Sequence, residues 1–393
     1  MRKGYTRVYA EIDLDAVVFN MKSMKKNLAL ETRLVGVVKA DGYGHGAVPV
    51  ARAIDPYVEA YAVATAEEGL LLRRHGIHKP ILILGPVHKS HYERLIEQEI
   101  RPVIFTMEQA SALSKEAVKL GKQANFHLAV DTGMSRIGLD GDENGVRLAT
   151  EICHLPGIWA EGIFTHFARA DESDKSWAKA QLDHFLDFLE MLERQGVQIP
   201  IRHCANSAAI IDLPETSLNW ARAGISMYGM YPSDEVVKKP VPLQPVMSLK
   251  SFVTYVKEIG PGRQVSYGGT FVAKTPMRIA TIPVGYGDGY PRNLSGRGYV
   301  LIQGKRAPIL GRVCMDQLMV DVSGISDVDV DTGVTLIGKD GREEIRVEDL
   351  AEWGGRFHYE IVCDIGKRVP RVYLRGGAVV GTKDYFADEY PEF

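Results

Sequence analysis

At 393 residues, with 45% hydrophobic and 25% charged content, the chain has the composition of a globular protein long enough for two separately cored domains, which excludes disorder. A formal net charge of -3 without any long Lys/Arg block argues against nucleic acid and anionic membrane surfaces as partners and points to a small-molecule ligand. The four cysteines, Cys153, Cys204, Cys314 and Cys363, are scattered without a CxxC pair, so neither a disulfide framework nor a metal site is expected, and reduced thiols in the cytoplasm fit best. Glu11, Asp13 and Asp15 interrupt the apolar core that a secretory signal would need, and no stretch is apolar enough to cross a bilayer.

In chain order, short β-branched runs alternate with helix-patterned segments, the rhythm of parallel strands joined by crossover helices. The predicted strands are 33–38, 60–65, 81–85, 101–105, 126–130, 160–167, 201–205 and 221–229. Between them the pattern predicts helices over 65–76, 106–121 and 177–196, with Thr65 and Thr106 as N-caps and Gly76, Gly121 and Gly196 as stops. In the last of these, Leu182, Phe185, Leu186 and Leu189 mark one apolar face. Eight strand-helix units in this length are what an α/β fold of the (β/α)8 TIM-barrel type requires. The segment "YPSDEVVKKPVPLQP" at 231–245, rich in proline and charge, reads as a linker. Beyond it, glycine-broken short runs such as 247–259, 277–285, 298–304, 307–313 and 334–338 predict a smaller, mainly β domain. The expected division is therefore a barrel over 1–240 and a β domain over 241–393.

Barrel geometry turns strand ends into candidate chemistry, because catalytic groups in this architecture lie where strands finish. Lys39 ends the first strand, in "VVKADGYGHG"; His166 ends the sixth; Asn206 and Ser207 follow the seventh; Arg222, Gly224 and Ile225 fall on the eighth. Loops after the last two strands are where such barrels hold a phosphate on backbone N–H groups. A lysine facing a phosphate site suggests pyridoxal 5'-phosphate, carried covalently on the lysine amine. The bland alternatives are a snorkelling surface lysine, a satisfied core histidine, and an Arg136 that merely pairs with Asp131 or Asp140. "GYGDGY" at 285–290 lacks the strand-to-helix context of a dinucleotide fingerprint and reads as a turn.

"VVKADGYGHG" resembles the cofactor-attachment signature of the alanine racemase family, and the resemblance continues through "DTGMSRIG", "THFARAD", "CANSAA", "RAGISMYG", "VSYGGTF", "VGYGDGYPR", "GRVCMDQ" and "VPRVY" over nearly the whole chain. It implies a homodimer whose β domain completes the partner's active site and which interconverts L- and D-alanine, supplying D-alanine for peptidoglycan. Carried over by position, it implies Lys39 and Tyr267 as the two catalytic bases, with Tyr267 delivered by the other subunit. Arg136 and Met315 would hold the substrate carboxylate, Arg136 also touching the cofactor. Tyr43, Ser207, Gly224, Ile225 and Tyr359 would hold the phosphate, with Asn206 beside them. Arg222 would face the ring nitrogen, and His166 would link it to Tyr267.

Chemistry independent of the family agrees with two bases. An amino acid Cα–H is too weakly acidic to ionise unaided, and racemisation needs protons handled on both faces of a planar carbon. One departure stands out: where many family members have a carbamylated lysine steadying the arginine, this chain has Ala129, so Arg136 must be oriented otherwise. Two rival functions remain, a serine or broader-specificity racemase of the same fold and a non-catalytic pyridoxal-phosphate carrier. Tyr359 argues against the first, and the 241–393 segment with Tyr267 against the second.

Overall fold

The computed structural model describes residues 5–384, and the chain divides into two compact units. One comprises residues 16–42 and 47–244; the other comprises 1–15, 43–46 and 245–393, whose first four and last nine residues (1–4 and 385–393) lie outside the described residues.

The first unit is a parallel barrel. Around the ring Val35 stands opposite Ala60, Tyr61 opposite Ile81, Leu128 opposite Ile163, His203 opposite Trp220, and Arg222 returns to Val35. The fourth strand is interrupted at Pro102, which has no N–H for a ladder. Ile100–Arg101 pairs with Ile81–Ile83, and Val103–Ile104 pairs with Ala124–Asp131, so one broken strand completes the ring. The eight predicted strands are all present. The eighth is shorter than expected: it ends at Ala223, and Ile225–Tyr228 turns as a 3-10 helix.

The helix signals translate into structure where a side chain can close a backbone group. Thr65 forms a capping box with Glu68 at the start of Ala66–Arg74, and Thr106 caps Met107–Leu120, which stops on Gly121 at φ 62°. Ser176–Arg194 buries Leu182, Phe185, Phe188, Leu189 and Leu192 against the barrel. Leu186, expected on that face, is 42% exposed, because it lies one step round the helix from Phe185.

The second unit is built on a mostly antiparallel sheet. Its unforeseen member is Val8–Asp13, which pairs antiparallel with Met247–Phe252 and parallel with Arg371–Arg375. Residues 5–15 thus belong with the β unit and not with the barrel, as the expected 1–240 range had them. The acidic alternation that argued against a signal peptide is the pattern of a strand whose Ala10 and Ile12 are fully buried. A small hairpin of Gln264–Val265 and Phe271–Val272 projects Tyr267 on its 3-10 tip. "GYGDGY" forms a turn, as read, with Asp288 buried in it and paired to Arg7 at 2.5 Å and Arg368 at 3.3 Å.

Candidate active site

The stretch after the first barrel strand is left-handed. Ala40, Asp41, Gly42 and Tyr43 have φ of 52°, 51°, 64° and 51°, a conformation that costs a residue with a Cβ about 1–2 kcal/mol. The surrounding hydrogen bonds over-determine it. Glu68 accepts the Ala40 N–H at 2.6 Å on one carboxylate oxygen and the Ala64 N–H at 2.7 Å on the other. Asp41 accepts the Ala47 N–H at 2.9 Å, and the Gly42 N–H reaches the Val38 carbonyl at 2.8 Å. The consequence is a lysine held at a strand end by strained but clamped backbone, a combination found at functional sites. The bare residues have a steric reason too: a Cβ on Gly44 would stand 2.1 Å from the Val362 carbonyl oxygen, at φ 77°.

Lys39 lines a cavity of about 250 Å³ with Ala129, Arg136, Phe164, His166 and Arg222. Arg222 is only 3% exposed and, among the described residues, has no carboxylate partner. Its Nη1 donates to Nδ1 of His203 at 2.7 Å, and its Nη2 to the carbonyls of Thr165 and Cys204, both at 2.9 Å, and to Nδ1 of His166 at 3.2 Å. Among the described residues its Nε–H has no hydrogen-bond partner, so one donor of a locked guanidinium is left for the cavity it lines. Burial brings its pKa down to about 10, which still leaves it charged at neutral pH.

His166 is neutral. Burial, then the positive charges of Arg222, Arg136 and Lys39, bring its pKa down to about 3, and acceptance of the Arg222 proton at Nδ1 places its own proton on Nε2. The cation of this network is therefore the guanidinium. Buried Gln181 holds the His166 segment in place, donating to the His166 carbonyl at 3.2 Å and accepting the Ala168 N–H at 2.9 Å.

Arg136 does not pair with Asp131, whose carboxylate instead accepts the Gly133 and Ser135 N–H groups at 2.9 and 3.0 Å. On the neighbouring loops, Asn206 caps Ser207–Asp212 by accepting the Ala209 N–H at 3.1 Å, and the Ser207 hydroxyl accepts the Gly224 N–H at 3.0 Å. Ile225 opens the following turn.

The remaining predicted residues belong to the β unit. Tyr43 is buried 6.2 Å from Tyr359, ring to ring, and burial pushes its phenol pKa up, keeping it a donor. Tyr267 is 69% exposed and Met315 is 52% exposed. Their loops are tied together: Ser266 donates to the Arg312 carbonyl at 2.6 Å, and the Gly287 N–H holds the Met315 carbonyl at 2.8 Å. The predicted set thus falls into two groups, one built by the barrel and one by the β unit.

Glu68, Gln181, His127, His203 and Glu161 are structural partners that sequence reasoning missed. Glu68 had a signal in the Thr65-x-x-Glu68 box, and the two histidines in their position inside otherwise apolar strands.

A closed parallel barrel with a clamped lysine and a buried, carboxylate-free arginine at its mouth, accompanied by a β unit, defines a two-unit barrel enzyme. The comparisons with known proteins name the class. Residues 12–232 match the family model of the alanine racemase N-terminal domain, and 246–373 that of the C-terminal domain. An alanine racemase of Desulforamulus reducens is 46% identical over 368 residues, covering 93% of this chain and 99% of the relative. The solved alanine racemase of Clostridium difficile 630 is 39% identical with a TM-score of 0.94, covering 98% of this chain and 100% of that one. That of Bacillus anthracis, solved with bound L-Ala-P, is 37% identical with a TM-score of 0.92 over 98% of this chain and 100% of that one. The chain belongs to the alanine racemase family; it is an amino-acid racemase, an isomerase. Among the described residues, no helix is long and apolar enough to cross a membrane.

Proposed function

We propose that this chain interconverts L- and D-alanine with pyridoxal 5'-phosphate, using Lys39 and Tyr267 as its two bases. The observation that carries the cofactor is Arg222: a buried guanidinium held through five hydrogen bonds by carbonyls and neutral imidazoles, whose Nε–H has no partner among the described residues and which lines the same cavity as Lys39. An N–H donor that keeps its proton suits an uncharged aromatic nitrogen, where a carboxylate would call for a protonated one. Lys39 would hold the cofactor covalently, and Tyr43, Ser207, Gly224, Ile225 and Tyr359, with Asn206 capping beside them, would hold its phosphate on N–H and O–H donors. When bound, the cofactor supplies an electron sink for charge developing at the substrate Cα.

The chain's own groups then divide the proton handling. Lys39 serves one face of Cα and Tyr267 the other, while Arg136 and the Met315 N–H hold the carboxylate. His166, being neutral, can pass the influence of Arg222 to the Tyr267 phenol only by hydrogen bonding; the stabilising charge for a phenolate is that of Arg222. The exposure of Tyr267 at the tip of its hairpin supports its delivery to the site of a second copy in a homodimer. The product supports a role in supplying D-alanine for peptidoglycan. The Bacillus anthracis relative with bound L-Ala-P favours alanine over serine.

The test is a racemisation assay comparing L-alanine with L-serine. Preference for L-alanine is expected; equal or better turnover of L-serine overturns the substrate assignment. Mixing inactive Lys39→Ala and Tyr267→Phe subunits should restore part of the activity, and no recovery overturns the shared site.

A further inference from the structure

Arg222 is one end of a polar column inside the apolar barrel. From its Nη1 the path runs 2.7 Å to Nδ1 of His203, then 2.9 Å from Nε2 of His203 to Nδ1 of His127. The Nε2 of His127 lies 3.7 Å from Glu161, beyond hydrogen-bond length, and makes no other contact of that kind. Glu161 is gripped from the far side by Arg101, at 2.8 and 3.2 Å, and by Asn125 at 3.4 Å. Both histidines are 0% exposed, walled by Phe164, 5.0 Å from the His203 ring, and Trp220, 5.5 Å from that of His127. The strand backbone makes room for the column: a Cβ at Gly162 would stand 2.3 Å from the His127 ring.

The column has one direction. A guanidinium only donates, so Nδ1 of His203 accepts and its proton is on Nε2. That proton must be given to Nδ1 of His127, whose own proton is then on Nε2, toward the one carboxylate of the path. Desolvation first, and then the charge of Arg222, hold His203 far below the ordinary histidine range; desolvation likewise lowers His127, against the pull of Glu161. The charged groups that bear on the pair are Arg222, Arg101 and Glu161.

We infer that Glu161, acting through His127 and His203, helps position Arg222: the guanidinium, which only donates, sets the direction of the column from one end, and the carboxylate charge 3.7 Å from Nε2 of His127 favours the same tautomers from the other, so that His203 presents a lone pair to Nη1 and the Nε–H is the donor left over. The opposite tautomers would set N–H against N–H at Arg222 and turn the fork. Glu161, His127 and His203 are positioning residues, and their purpose rests on the reading of Arg222 given above.

The test is ¹⁵N NMR of the histidine-labelled enzyme. Both His127 and His203 should show a non-protonated Nδ1 and a protonated Nε2, unchanged as pH falls through about 6.5, where an ordinary histidine charges. An imidazolium or an Nδ1–H tautomer at either one overturns the inference, whether or not the enzyme racemises alanine, so this outcome is distinct from failure of the racemase reading. Glu161→Gln can donate as well as accept, and should bring in the second tautomer at both rings and lower kcat about tenfold or more, with KM changing less. Glu161→Asp should keep the wild-type tautomers. Unchanged tautomers and kcat in Glu161→Gln would also overturn the assignment; if that variant does not fold, Arg101→Lys, which loosens the grip on Glu161, should shift the His127 tautomer, and an unchanged His127 signal there overturns the role of the carboxylate.

Discussion

The barrel mouth and the Tyr267 hairpin hold the two proposed bases in opposite ways. Around Lys39 the fold has spent its polar groups inward: Glu68 clamps a left-handed turn, and Arg222 is locked by carbonyls and histidines. Around Tyr267 the loop is braced through Ser266, yet the side chain itself is 69% exposed. The barrel group is fixed by burial and hydrogen bonds, whereas in the hairpin the backbone is braced and the Tyr267 side chain is exposed. The difference teaches that a fold can fix a side chain directly, by burying and bonding it, or only indirectly, by bracing the loop that carries it.

That contrast can be broken by substitution. Tyr267→Phe removes one hydroxyl from an exposed position, so it should leave stability within about 0.5 kcal/mol while lowering kcat by about 10²–10⁴. Steady-state kinetics with urea unfolding checks both halves, and a large loss of stability would show that the hairpin is not a bare scaffold. Glu68→Gln should act the other way. Replacing one acceptor oxygen by an amide that cannot accept both the Ala40 and Ala64 N–H groups should cost about 1–3 kcal/mol and also reduce kcat by loosening Lys39. Unchanged stability would mean that the turn needs no clamp.

The pH dependence of stability belongs to the barrel. Burial alone would raise the Glu161 pKa, but His127 and the Arg101 hydrogen bonds and charge outweigh it and bring it down to about 2 from 4.5. A depressed carboxylate stabilises the fold above its unfolded pKa, and that contribution, of order 3 kcal/mol, is lost as pH falls from about 4.5 toward 2. His166, brought down to about 3, favours the fold when neutral, so its contribution starts to fall already below about 6.5. Unfolding free energy should therefore decline in two stages on acidification. A profile flat between pH 7 and 5 contradicts the neutral His166. The smallest expected effect is Leu186→Ser, within about 0.5 kcal/mol, because that side chain is on the open face of its helix. A cost above 2 kcal/mol would place Leu186 in a buried contact.

Much of the barrel was legible because its signals are local. The β-branched runs, the Thr65 and Thr106 caps and the glycine stop at Gly121 each specify their own few residues; the caps and the stop fall where expected, and the strands do so except at their ends. Leu186 misled because its i, i+3, i+4, i+7 spacing with Leu182, Phe185 and Leu189 marks one stripe, whereas Phe188 and Leu192 centre the buried face on the other side of Phe185 and leave Leu186 at its open edge. Val8–Asp13 was missed because a strand whose partners are about 240 and 360 residues away announces no turn, only alternation.

The sequence by itself determined the eight-strand rhythm, the β domain and, by resemblance, the residues on which alanine racemisation would rest. Only the tertiary structure decided that Ala40 to Tyr43 turn left-handed, that His166 is neutral, and that Arg222 is one end of a column reaching Glu161. The physical reason is range: propensity and caps act between neighbours in the chain. Desolvation, tautomer choice and the direction of a hydrogen bond depend on whatever the fold brings across the barrel, and no local pattern records it.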